Sequence, residues 1–137
     1  MKIFLCEAAL NALIIDDNNM TRTLLRAILG RSGMRVVGEA SNGNRGYELI
    51  MELKPQVVFL DVVMPDISGI DVLKQLRAEL DKMVVLMVSV ERDVSIIKQC
   101  LSLGASGFIL KPFTEATVLK SVKDAMLRAG MLVPAGL

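Results

Sequence analysis

Adjacent carboxylates at Asp16 and Asp17 follow directly on the apolar run Ala12-Leu13-Ile14-Ile15, and a third, Asp61, follows Val57-Val58-Phe59-Leu60. A run of four apolar residues predicts a strand buried on both faces. Carboxylates crowded at the ends of such strands repel one another unless a cation neutralises them, and hard oxygen ligands of this kind suit Mg2+. Further along, Ser89 follows Val84-Val85-Leu86-Met87-Val88, and Lys111-Pro112 follows Phe108-Ile109-Leu110. Strand ends bearing acid, acid, hydroxyl and amine supply what phosphoryl transfer onto a carboxylate requires: a metal site, an acceptor, a hydrogen-bond donor and a fixed positive charge.

These side chains meet only if the strands that carry them lie side by side and point the same way. The chain alternates five times between short aliphatic runs and amphipathic segments. Met20 to Arg31 predicts a helix with Met20, Leu24, Ala27 and Ile28 on one face and Gly33 as its stop. Val36-Val37 reads as the second strand, Ser41-Asn42-Gly43 as a turn, and Tyr47 to Leu53 as a helix ending at Lys54-Pro55. After the third strand, the loop Met64-Pro65-Asp66-Ile67 leads to a helix capped by Ser68, with Asp71 in its first turn. The fourth helix spans Val94 to Leu103 and stops at Gly104; the last runs from Glu115 to Arg128. The alternation implies an α/β fold, a doubly wound five-stranded parallel sheet with helices on both faces. Ligands of such sheets collect at the carboxyl ends of the strands, near the switch point. Met131 to Leu137, with Pro134 and Gly136 as breakers, reads as a short tail.

The 137 residues make one domain, and 53% hydrophobic content is enough for one well-packed core. A net charge of +1 and 4% aromatic residues argue against direct nucleic-acid binding. Cys6 and Cys100 form no CxxC pair and read as reduced, buried thiols. Met1 to Cys6 resembles the start of a signal peptide, but Glu7 interrupts it, and no apolar stretch reaches the length needed to span a bilayer. The expectation is a cytoplasmic protein without membrane insertion. The absence of histidine removes the commonest zinc ligand and most Ser/His or Cys/His mechanisms, and it requires any phosphohistidine donor to be another protein.

Taken together, Asp16-Asp17-Asn18, Asp61-Val62-Val63-Met64-Pro65 with Gly69, Ser89, and Lys111-Pro112-Phe113 resemble, in order and spacing, the receiver domain of two-component response regulators, from about Ala12 to Gly130. The segment from Gly104 to Thr114 is similar to the CheY-like, stand-alone regulators. The resemblance implies a flavodoxin-like fold with strand order 2-1-3-4-5 and a single receiver domain over residues 1–137, with its core at about 12–130. It implies Asp61 as phosphoacceptor, served by a histidine kinase or a His-containing phosphotransfer protein. Mg2+ would be held by Asp17, Asp61 and the Val63 backbone carbonyl, with Asp16 acting through water. Lys111 and Ser89 would contact the phosphoryl oxygens. Ser89 and Phe108 would form the switch, changing a face of helix 4, strand 5 and helix 5 that meets a downstream protein. The family commonly has a cis peptide at the position of Lys111-Pro112.

On this reading the chain is a signalling phosphoacceptor and no enzyme beyond its own phosphorylation and dephosphorylation. The alternative is an N-terminal receiver fragment of a longer regulator. Two other classes fit less well. A phosphatase of the haloacid dehalogenase type wants a second acid two residues after its nucleophile, where Asp61 is followed by Val62-Val63 and Asp16 has Asn18. A flavodoxin-like FMN carrier wants a Ser/Thr/Gly-rich phosphate loop, which is missing after Asp17. Two departures from common family choices stand out. Val63 has no polar side chain to hold a hydrolytic water, which leaves Glu91 as the nearer candidate. Ala105-Ser106-Gly107 lacks the acidic residues that many DNA-binding relatives use in dimer salt bridges.

Overall fold

Residues of β3 (Val57–Leu60) and β4 (Val84–Ser89) are all buried, as expected of strands covered on both faces. The computed structural model describes residues 9–137, so Cys6 and the segment Met1 to Cys6 lie outside the described residues. The remaining strands are β1 (Asn11–Ile15), β2 (Arg35–Ala40) and β5 (Gly107–Leu110). They alternate with α1 (Asn19–Arg31), α2 (Gly43–Leu53), α3 (Gly69–Gln75), α4 (Val94–Ser102) and α5 (Glu115–Arg128). All neighbouring strands pair in parallel, in the order β2-β1-β3-β4-β5. This is the doubly wound, flavodoxin-like arrangement expected.

Strand residues of alternating parity point to opposite faces, and each face has its own core. Ala12, Ile14, Phe59, Leu86 and Val88 pack with Leu25, Ile28 and Leu29 of α1 and Val118 and Val122 of α5. Leu13, Ile15, Val58, Leu60 and Met87 pack with Ile50 of α2, Val72 and Leu73 of α3 and Cys100 of α4. Cys100 is a free, buried thiol that burial holds above its usual pKa. Among the described residues no helix is long and apolar enough to cross a membrane.

Polar side chains start the helices. Asn18, Asn42, Asp93 and Thr114 each accept a backbone N–H from the first turn, and Ser68 forms a reciprocal capping box with Asp71. Gly33 and Gly104 adopt positive φ values of 88° and 111° after α1 and α4, where a side chain would be strained.

Several local expectations are corrected. The face of α1 that meets the sheet is Leu25, Ile28 and Leu29, while Met20 is 80% and Leu24 47% exposed. Asn42 serves as the cap of α2, which therefore starts at Gly43, four residues before Tyr47. β2 extends well past Val36-Val37, to Ala40. A 3-10 segment, Arg77–Lys82, joins α3 to β4. The tail is no loose end: Met131, Val133 and Leu137 pack against the α1–α5 core.

The phase of α1 is testable by chemical denaturation. Leu25→Ala should cost about 2–5 kcal/mol by leaving a cavity, whereas Met20→Ser should stay within about 0.5 kcal/mol. The opposite ranking would restore the stripe expected from the sequence.

Candidate functional site

Parallel register brings the chemistry-bearing residues to one edge of the sheet. Ile15 pairs with Leu60, Leu60 with Met87 and Ser89 with Leu110, so the next residues, Asp16, Asp61 and Lys111, leave the sheet beside Ser89. Backbone bonds extend the ladder by one step: Asp61 N–H donates to Ile15 O at 2.9 Å, and Lys111 N–H to Ser89 O at 2.9 Å. α3 begins hard against this edge. A Cβ on Gly69 would lie 2.1 Å from the Asp61 carbonyl oxygen, so only glycine allows the approach.

Asp16, Asp17 and Asp61 each place a carboxylate oxygen within 4.8 Å of the others'. Asp16 and Asp61 are buried and Asp17 is exposed. Lys111 is the cation among them, its Nζ 2.9 Å from Asp16 Oδ2 and 3.4 Å from Asp61 Oδ2. Asp61 Oδ1 accepts the Val62 N–H at 2.7 Å, and Asp16 Oδ1 the Asn18 N–H at 2.9 Å. Asp16 Oδ2 is buried, and the Lys111 ammonium is its one close polar partner among the described residues. An all-oxygen donor set, with two buried carboxylates and one open to water, fits a hard divalent cation that keeps part of its hydration shell. The cluster is capable of holding a metal.

The electrostatics carry the signature of crowding. Burial, and after it the Asp16 carboxylate, pushes the Asp61 carboxyl above its usual 3.8; Lys111 and the Val62 N–H pull it back without cancelling the rise. Burial acts to lower Lys111, but its hydrogen bond to Asp16 and the negative charges of Asp61 and Asp16 outweigh that and lift it above its usual 10.5.

Ser89 is 1% exposed, and its Oγ accepts the Glu91 N–H at 3.2 Å, which leaves the hydroxyl hydrogen free to donate. Phe108 is half-buried against the α2–α3–α4 core. Val63 exposes its side chain at the rim. Glu91 Oε2 accepts the N–H groups of Arg92 and Asp93, at 3.1 and 3.0 Å, which ties that oxygen to its own loop. The Lys111–Pro112 peptide is cis.

Three features had no place in the sequence reading. Arg22 reaches back from α1 to the Asp16 carbonyl. Asp66 accepts the N–H groups of Gly43 and Asn44 at 2.8 Å each, tying the loop after β3 to the start of α2. Desolvation opposes those bonds, yet together the backbone N–H groups hold its carboxyl below the usual value. An apolar groove of about 710 Å³ runs beside Lys111, lined by Met20, Leu24, Ala27, Val90, Pro112 and Phe113. The exposed α1 stripe was the available signal for the groove; the other two depend on contacts distant in sequence.

The response regulator receiver domain family model matches residues 12–123. The chemotaxis protein CheY of Thermotoga maritima is 33% identical over 110 residues, which cover 80% of this chain and 92% of that protein. Among solved structures, the receiver domain of the putative response regulator NarL from Mycobacterium tuberculosis aligns with a TM-score of 0.77 at 33% identity, covering 85% of this chain and 94% of that one. A chain of the CheX–CheY–BeF3–Mg2+ complex from Borrelia burgdorferi aligns with a TM-score of 0.82 at 29% identity, covering 85% of this chain and 89% of that one.

A raised carboxyl pKa has a definite sign in stability. Between the usual 3.8 and the higher folded-state value, the folded chain binds more protons than the unfolded one, so stability falls as pH rises through that window and the penalty persists at neutral pH. Asp61→Asn should therefore raise the metal-free Tm at pH 7, with the gain shrinking as pH falls toward the ordinary carboxylate range. A metal-free Asp61→Asn that melts lower at pH 7 would show that Lys111 more than compensates the crowding.

Proposed function

The chain belongs to the response regulator receiver family, CheY-like in type, and on that premise we propose that it accepts a phosphoryl group on Asp61 from a phosphohistidine of another protein. The observation that carries this reading is the meeting of Asp61 with Lys111 and two further carboxylates at one sheet edge. As a receiver it is a phosphoacceptor module, not an enzyme turning over a separate substrate. We read it as a single receiver unit with its core at about 12–130, and a cytoplasmic location goes with that reading.

In the transfer, an Asp61 carboxylate oxygen bonds to phosphorus while the P–N bond of the donor breaks, its electron pair returning to the imidazole. Two anions must approach, so charge has to be cancelled first. Asp17, Asp61 and the Val63 carbonyl, with Asp16 acting through water, would hold Mg2+, which would supply part of that cancellation. Lys111 supplies the rest from a fixed position, pairing with Asp61 before transfer and with phosphoryl oxygens after it. The Ser89 hydroxyl donates to a phosphoryl oxygen and draws its loop inward. Phe108, half-buried on β5, then shifts and alters the α4–β5–α5 face that a downstream protein reads. On the donor side, the apolar groove is continuous with the acceptor through Lys111, which supports docking of a histidine kinase or a His-containing phosphotransfer protein there.

Incubation with acetyl phosphate and Mg2+ should place hydroxylamine-labile phosphate on the wild-type chain, and Asp61→Asn should reduce it to background, because an amide is a poor nucleophile. Undiminished labelling of that variant would put the acceptor elsewhere.

A further inference from the structure

Asp17 is the cluster's exposed acid, and among the described residues no hydrogen bond or ion pair holds its carboxylate. Its position is inherited from the peptide links on either side. On one side, the Asn18 N–H is fixed by Asp16 Oδ1 at 2.9 Å. On the other, the Asp16 carbonyl accepts Arg22 Nη1 at 2.6 Å, a charge-assisted bond from a side chain only 16% exposed. The guanidinium is itself locked. Its Nε lies 3.2 Å from Glu39 Oε1 on β2, its Nη2 donates to Asn19 Oδ1 in the first turn of α1, and the other Glu39 oxygen is held by Arg26. Arg22 thus joins the end of β1, the neighbouring strand and the start of α1 at the peptide that aims Asp17.

We propose that Arg22 is a positioning residue for the metal site: by clamping the Asp16 carbonyl against Glu39 it fixes the Asp16–Asp17 pair and so sets the affinity of the acid cluster for Mg2+. The proposal rests on the metal reading given above. It does not require Arg22 to touch the ion or the phosphoryl group. Groups that orient ligands through hydrogen bonds typically change metal affinity by about 10–100-fold when removed.

The test is a Mg2+ titration of the full chain, followed by the backbone amide shifts of Asp17 and Asn18, at a temperature where every variant is folded. Arg22→Met keeps the bulk of the side chain and removes the donors; it should weaken Mg2+ binding about 10-fold. Arg22→Lys, which keeps one donor for the carbonyl, should recover part of the loss. Arg26→Ala removes the outer ion pair to Glu39 but leaves the Arg22 bond, and should bind Mg2+ as the wild type does. Wild-type binding with equal affinity in Arg22→Met would overturn the positioning role alone, whatever that variant does to Tm. A wild-type chain whose amides do not respond to Mg2+ would overturn the metal reading and the proposal with it.

Discussion

Lys111 reaching across the strand ends to Asp16 and Asp61 is the interaction on which the arrangement turns. Two buried carboxylates and a third, exposed one within 4.8 Å repel one another unless a cation lies among them. The ammonium holds this set together but does not cancel the crowding: Asp61 remains harder to ionise than an ordinary carboxylate. That residual imbalance gives the site its use, since it leaves room for further positive charge and an acceptor oxygen that gains by meeting it.

Everything around the edge serves to keep the charges close. The sheet supplies the first constraint, with one backbone bond beyond the ladder for both Asp61 and Lys111. Glycine supplies the second, because α3 starts where any side chain at residue 69 would collide with the Asp61 carbonyl. Loop-to-helix bonds supply the third: Asp66 binds the start of α2, and Arg22 binds the peptide after β1. The polar rim then gives way to the groove, where α1 turns Met20 and Leu24 outward.

The parts legible in the sequence were those written in short-range pattern. Apolar runs of four or five residues announced β1, β3 and β4, and the polar residue closing each run marked the working edge. The Ser68 cap and the Gly33 and Gly104 stops were equally local. Ambiguity entered where one pattern had two readings. The α1 segment carries two apolar stripes that share Ile28, and only the position of the sheet decides that Leu25 and Leu29 are covered. Asn42 serves both a turn and a helix cap, which hid the first turn of α2. β2, with its half-buried residues, gives no apolar run as clear as those of the inner strands. The bonds from the Arg92 and Asp93 N–H groups to Glu91 Oε2 could not be read from its spacing to Ser89. Arg22 is locked by Glu39 across 17 residues and Asp66 acts across 22 to 23, beyond any local period.

If Lys111 is the internal counter-ion of the acid cluster, a bound metal must share the same carboxylates with it, and removing the ammonium should favour the metal. The direct measurement is Mg2+ affinity by calorimetric titration of wild type and Lys111→Met at neutral pH. Binding should be tighter in the variant, by about 10-fold, or roughly 1.4 kcal/mol. Unchanged or weaker binding in a folded Lys111→Met protein would mean that Lys111 and the metal do not share the charge of Asp16 and Asp61, and would contradict the counter-ion role of Lys111.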